Sequence, residues 1–146
     1  MNGITTSKLL TLIRSAQTFE EATVYHRTAP QPVFSELLFD MMQKRGLSPK
    51  DMIRATCIDR SYFYHILNGQ KSPGRNIVLR IGFCLRATLN EMNHLLLLAG
   101  LATLYAKVKR DALLIYAIQK KLTMDQANDL LAEAGEAPLY WKEKDE

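Results

Sequence analysis

The stretch GLSPKDMIRATCIDRSYFYHILNGQKSP, residues 46–73, decides the fold, because its caps and breaks define two short helices. Ser48 is a favoured helix N-cap residue, and Pro49 suits the first helical position, where no backbone N–H is needed. The apolar pattern breaks at 57–58, which we interpret as a turn. The sequence therefore predicts a first short helix over Pro49–Thr56.

A second short helix is predicted after this turn, over Arg60–Asn68. Asp59 can cap its start, and Asn68-Gly69 is a typical helix end. Three apolar side chains in it are spaced to face inward, namely Phe63, Ile66 and Leu67. Two short helices joined by a three- or four-residue turn, the second carrying polar side chains, are the layout of a helix-turn-helix.

The remainder of the chain also shows helical periodicity and lacks strand signals such as sustained apolar–polar alternation. Ser7–Tyr25 predicts an amphipathic helix followed by a second short one, and the Pro-containing segment 29–32 predicts a linker. The other predicted helices cover the apolar positions between Phe34 and Met42, then Arg75–Ala87, then a segment that begins at Thr88 or Asn90 and ends at Gly100.

An internal repeat follows. Residues 93–105, NHLLLLAGLATLY, align with residues 128–140, NDLLAEAGEAPLY, at an offset of 35 and with eight of thirteen positions identical. The alignment extends upstream, with Leu79 on Leu114 and Thr88 on Thr123. A period of about 35 residues is the length of a helical hairpin. Since two copies are too few for a free-standing solenoid, we expect the second hairpin to pack on the first and extend one core.

The segment Leu37–Leu101 resembles the Cro and lambda-repressor-like helix-turn-helix family, of the xenobiotic-response-element type. The matching motifs are Gly46-Leu47-Ser48 at the start of helix two and Asn68-Gly69-Gln70-Lys71-Ser72-Pro73 after the recognition helix, with later helices over Ile77–Leu85 and Leu89–Leu98. The resemblance implies an all-α fold, with a five-helix lambda-repressor-like helix-turn-helix domain. This domain is extended by the duplicated C-terminal hairpin and by an N-terminal helical segment.

The domain organisation predicted on this basis has four parts. Residues 1–32 form an N-terminal helical arm and linker, and 33–105 form the helix-turn-helix domain. Residues 106–140 form the second hairpin on the same core, and 141–146 form a tail.

The resemblance also implies roles for individual residues of the recognition helix and the loop after it. Four side chains would read base edges in the major groove, namely Arg60, Ser61, Tyr64 and His65. Four others would contact phosphates, namely Tyr62, Asn68, Lys71 and Arg75. Phosphate contacts fix the register on the duplex, whereas base contacts specify its sequence.

Four positions differ from the family pattern. Pro49 stands where the family usually has Gln, and Ile53 stands where it has a small residue. Cys57 stands where the family has the turn Gly, and Leu67 stands where it has Glu. We expect Cys57 to be packed in the turn and structural rather than reactive. These differences, together with the aromatic residues of the second helix, leave an alternative open. The chain would then be a protein-interaction module or an antitoxin-like partner protein that binds DNA weakly or not at all.

Composition fits both readings. The chain has 146 residues, of which 47% are hydrophobic, and carries a net charge of +4. Residues 33–100 hold nine basic and five acidic side chains, so the excess lies in this middle segment, where 9 − 5 = +4. Two cysteines are too few for a disulfide-rich secreted scaffold and fit a reducing compartment.

No metal-ligand spacing, phosphate-binding glycine loop or catalytic constellation is evident, so we expect no enzyme activity, no metal and no cofactor. Nor is a membrane span or signal peptide expected. The prediction is a cytoplasmic, sequence-specific regulator of transcription from a bacterium or phage. Its partners are double-stranded DNA, a second copy of itself in a homodimer, and in the alternative another protein.

Overall fold

The computed structural model describes residues 6–15, 17 and 33–141. Contacts divide the chain into two units, with the boundary between Pro32 and Val33. The first contains the helix α1, Thr6–Ser15, in which the Thr11 hydroxyl donates to the Ser7 carbonyl over 3.0 Å. The second short helix and the linker predicted before Val33 lie outside the described residues, as does the tail after Trp141.

The second unit contains seven helices within residues 33–141, and this range has no strand. The helices are α2 (Phe34–Lys44), α3 (Pro49–Thr56), α4 (Arg60–Leu67), α5 (Arg75–Cys84), α6 (Leu89–Leu98), α7 (Lys109–Gln119) and α8 (Met124–Glu133). The predicted all-α class is confirmed.

Local capping starts α3 and α4 where the sequence predicts. Ser48 and Asp51 form a reciprocal capping box, in which the Asp51 N–H donates to the Ser48 hydroxyl and the Ser48 N–H donates to the Asp51 carboxylate. Asp59 caps α4 by accepting from the Tyr62 N–H over 3.1 Å. Such caps satisfy backbone donors that the first helical turn leaves unpaired.

Helix α5 ends at Cys84, three residues earlier than predicted. Arg86 has a left-handed backbone, with φ of 58°, and the Ala87 N–H donates to the Gly82 carbonyl in the closing turn. A residue in this conformation ends an α-helix. This helix end could not be predicted from the sequence, because the residue in the left-handed conformation is an arginine rather than the usual glycine.

One hydrophobic core runs through α2 to α8. Its fully buried side chains come from all seven helices and include Leu38, Met52, Phe63, Leu79, Leu96, Leu114 and Leu131. The second hairpin therefore extends the core of the first, as the repeat predicts.

The repeat is visible in the structure as two hairpins, α5–α6 and α7–α8. Thr88 and Thr123 each form a capping box, and Gly100 and Gly135 each take a left-handed conformation. The most specific common feature is an asparagine that fixes the segment after the hairpin. Asn93 accepts from the Leu104 N–H over 2.9 Å, and Asn128 accepts from the Leu139 N–H over 2.7 Å.

The two hairpins contact each other reciprocally. Helix α5 packs on α8, and α6 packs on α7. The Arg75 guanidinium donates to Asp111 over 2.9 Å, while its repeat equivalent Arg110 donates to Asn76 over 2.8 Å. Since Asn76 and Asp111 are themselves equivalent, the contacts are self-complementary, which is the mark of a twofold relation. The hairpins thus pair like a dimer within one chain rather than stacking as in a solenoid.

We predict that Asn128→Ala destabilises the fold by about 3 kcal/mol, because it leaves buried backbone groups without partners. Asn128 is buried and accepts from the N–H groups of Leu139 and Tyr140 while donating to the Tyr140 carbonyl. The matched variant Asn93→Ala should cost only about 1 kcal/mol, since half-buried Asn93 binds the Leu104 N–H alone. Urea unfolding of both variants measures the difference, and equal losses would contradict the assigned roles.

Candidate nucleic-acid interface

Helix α4 is anchored by one face and leaves the other open. It follows α3 after the three residues 57–59 and packs against α2 and α3. Phe63 and Ile66 are 0% and 1% exposed, so they fix the helix to the core. The side chains on the opposite face of α4 are consequently held outward by a rigid support.

Four of the predicted site residues share this outward face. Arg60, Ser61, Tyr64 and His65 are all exposed, and their spacing places them along one side of the helix. The Arg60 guanidinium carbon lies 5.8 Å from the centre of the Tyr64 ring, a distance that permits a cation–π contact. The structure therefore brings together the residues predicted to read bases.

Asn68 and Lys71 are exposed at the C-terminal end of α4. The Asn68 side chain accepts from the Gln70 N–H over 3.1 Å, and the N–H groups of Gln70 and Lys71 donate to the His65 carbonyl. These bonds, with Gly69 at φ of 84°, fold the loop back on the helix end. The backbone of Lys71 is therefore held next to the C-terminal end of α4.

The other two residues predicted to contact phosphates, Tyr62 and Arg75, are not fully exposed. Tyr62 is half-buried and packs partly against the core. The Arg75 guanidinium donates to the Ala102 carbonyl over 2.6 Å and to the carboxylate of buried Asp111 over 2.9 Å. Arg110 makes the equivalent bond to the Ala137 carbonyl. Arg75 is therefore a structural part of the repeat, and its guanidinium is directed to the second hairpin.

The connection between α3 and α4 contains Cys57 in a left-handed conformation, with φ of 57° and ψ of 26°. The family pattern has Gly there, and Gly adopts this conformation without strain. Contrary to expectation, Cys57 is exposed rather than packed. The reason is that Ile58 and Thr56 on either side take the buried positions.

Arg80 of α5 supports this connection from the core side. Its Nε and Nη2 atoms donate to the Thr56 carbonyl over 3.1 and 2.7 Å, at the end of α3 where carbonyls lack helical partners. The guanidinium also lies 5.4 Å from the centre of the Tyr140 ring, and burial lowers the pKa of Arg80. Sequence reasoning missed this residue, because its partners are 24 and 60 positions away along the chain.

The charges around α4 favour an anionic partner. Residues 44–75 contain seven basic side chains and two acidic ones, Asp51 and Asp59. Two of the basic side chains are ion-paired with carboxylates elsewhere in the chain, Arg45 with Glu91 and Arg75 with Asp111, which leaves five basic side chains and a smaller local excess. Both carboxylates cap helices, and hydrogen bonding to Ser48, chiefly through its backbone N–H, lowers the pKa of Asp51. Lys50 and Arg54 of α3 are exposed and add to the positive charge beside α4.

The described part of the chain gathers no three His, Cys, Asp or Glu side chains that could hold a metal ion. Within the same residues, no helix has the length and apolar character to cross a membrane. Comparison of the chain with protein-family models, with curated proteins and with solved structures gave no match.

The two cysteines should differ in reactivity. Burial raises the pKa of the Cys84 thiol to about 11, and this thiol lies 3.5 Å from the Met52 sulfur. Because the thiolate is the reactive form, we expect iodoacetamide at pH 8 to alkylate exposed Cys57 at least about 100-fold faster than Cys84. Peptide mapping by mass spectrometry measures both rates, and urea should abolish the difference. Equal rates in the native protein would contradict the placement of these side chains.

Proposed function

We propose that the chain is a sequence-specific, double-stranded DNA-binding regulator of transcription, in which α3 and α4 act as a helix-turn-helix. One observation carries the proposal. Helix α4 is fixed to the core by Phe63 and Ile66, and its opposite face presents Arg60, Tyr64 and His65 to solvent. A braced short helix with outward polar side chains is what major-groove recognition requires.

The proposed base contacts follow from the chemistry of this face. Arg60 lies at the N-terminal end of α4, the part of a recognition helix that reaches base edges, and a guanidinium can bind guanine O6 and N7 with two hydrogen bonds. The Tyr64 ring beneath it limits its freedom, which lowers the entropy lost on binding. Ser61 and His65 supply further donors and acceptors toward the same groove.

Phosphate contacts in the proposal come from the ends of α4. Lys71 and Asn68 are exposed beside the reading face, and the partly exposed Tyr62 lies at the start of the helix. Arg75 is left out, because its guanidinium is bound to Ala102 and Asp111. The local excess of basic side chains supplies the sequence-independent attraction that brings such proteins to DNA.

The proposed regulator acts as a homodimer in the cytoplasm. An eight-residue helix covers only a few base pairs, and modules of this kind gain specificity by placing two copies on half-sites about one helical turn apart. The surfaces through which the two hairpins contact each other are already covered within one chain, so they do not form the contact between two copies. The surfaces of α5–α8 that face outward, or the segment before Val33, are therefore left for contact between copies.

A protein-binding role for α4 is the alternative, and the exposure of Tyr64, at 37%, favours it. Tyr and Arg are enriched among the residues that dominate protein–protein binding. In that case the chain would be an interaction module or an antitoxin-like partner protein. The same exposed face would then bind a protein surface instead of a groove.

The test is selection of duplexes from a random library by the purified protein at two salt concentrations. We expect enriched motifs that survive moderate salt. On the selected duplex, Arg60→Ala should weaken binding by about 1–3 kcal/mol and relax the preference at one base position, and Lys71→Ala should reduce the salt dependence by about one counterion.

Lys107→Ala is the matched control, because Lys107 is exposed but lies before α7 in the second half of the chain. It should leave both affinity and motif unchanged. Retention that vanishes with salt and yields no motif would overturn the DNA-reading proposal. A stoichiometric protein partner whose binding is lost in Tyr64→Ala would then establish the alternative.

A further inference from the structure

A cavity of about 440 Å³ lies between the two hairpins, where α5 and α7 end. Six of the residues that line it form three pairs, and the two members of each pair are 35 residues apart, at equivalent positions of the repeat. The pairs are Phe83 with Ile118, Arg86 with Lys121, and Ala87 with Leu122. The cavity therefore lies where the two equivalent turns face each other. Pockets of this size with mostly apolar walls are where proteins bind small molecules.

The walls and the mouth of the cavity differ in chemistry. Phe83, Ile118 and Ala87 are at most 9% exposed and form an apolar interior with half-buried Leu122. Arg86 and Lys121 are exposed, and the Arg86 guanidinium donates to the Lys121 carbonyl over 3.3 Å. Among the described residues neither side chain forms an ion pair. Two positive charges without an ion pair thus border an apolar space.

Both cations occupy backbone positions that favour glycine. Arg86 and Lys121 have φ of 58° and 56°, whereas the equivalent helix ends after α6 and α8 use Gly100 and Gly135. Side chains other than Gly and Asn are unfavourable in this conformation. The chain thus has a long basic side chain in both copies of the turn, at positions where glycine would fit the backbone with less strain.

We propose that this cavity binds an apolar carboxylate, that is, an acid with an aliphatic or aromatic body. The body would lie against Phe83, Ile118 and Leu122, and the carboxylate would lie between Arg86 and Lys121. Charge complementarity selects the anion, and the apolar lining selects its body.

A neighbouring hollow shares Phe83 and Arg86 with the cavity. It is also lined by Cys84 and Asp125, so Arg86 borders the Asp125 carboxylate as well as the cavity. Asp125 accepts from the Tyr140 hydroxyl, and its negative charge disfavours a second carboxylate on that side. The anionic group is consequently expected between Arg86 and Lys121, on the side of Arg86 that borders the cavity, because Lys121 does not line the hollow that contains Asp125.

The experiment titrates octanoate, below its micellar concentration, into the isotopically labelled 146-residue chain and follows the NMR resonances of the protein. We expect saturable shifts at Phe83, Ala87 and Leu122. Octan-1-ol, which has the same body without the charge, should bind at least about tenfold more weakly. The double variant Arg86→Gln/Lys121→Gln should lose octanoate affinity by a similar factor while keeping its helical circular dichroism.

Lys44→Gln/Lys107→Gln is the charge-matched control, since both lysines are exposed and neither lines the cavity. It should bind octanoate as the unmodified chain does. Absence of shifts at the cavity residues would overturn the proposal. So would equal binding of the alcohol, equal binding by the cavity variant, or shifts that are as large at exposed Trp141. Because the readout is ligand binding alone, the outcome is independent of DNA binding.

Discussion

The Arg80 guanidinium donates to the Thr56 carbonyl and so fixes the connection between the two short helices α3 and α4. It gives the C-terminal end of α3 two donors at 3.1 and 2.7 Å and ties the connection before α4 to α5. The Thr56 hydroxyl adds a bond to the Met52 carbonyl over 2.6 Å and accepts from the Ile58 N–H. With these groups satisfied, the chain leaves α3 in one direction, and that direction sets which face of α4 meets solvent.

The same arginine connects the exposed helix to the duplicated half of the chain. Arg80 lies on α5, the first helix of the first hairpin, and its guanidinium lies over the ring of Tyr140, which ends the second. The second hairpin packs on the first, and its Tyr140 contacts the arginine that holds the end of α3. The reciprocal hydrogen bonds of Arg75 and Arg110 lie between the two hairpins, on a surface that a single hairpin would expose to solvent. Duplication has produced an internal pair with a shared core and a cavity between equivalent turns.

Features that depend on near neighbours could be predicted from the sequence. The caps at Ser48 and Asp59 act over three residues, and the apolar spacing of Phe63 and Ile66 fixes which side of α4 is buried. The repeat predicted a shared core, because equivalent apolar positions must be covered in both copies. The N-terminal predictions beyond α1 concern residues outside those that the structure describes.

Features that depend on distant partners could not be predicted in this way. Arg75 follows the loop after α4, where the family resemblance implies a phosphate contact, but its partner Asp111 is 36 residues away. The early end of α5 results from left-handed backbone at Arg86, a residue other than glycine. Cys57 is exposed because its neighbours Thr56 and Ile58 take the buried positions. The cavity could not be predicted because it forms only where the two hairpins pack together. The 35-residue offset does align Arg86 with Lys121 in the sequence.

We propose that the outward face of α4 reads DNA. An NMR titration of the labelled protein with duplex DNA at low salt tests this directly, because it maps every amide that responds. We expect shifts concentrated at residues 60–65 and 68–71, with the repeat after Tyr105 little affected. Shifts that avoid α4, or a surface centred on the hairpins, would contradict it.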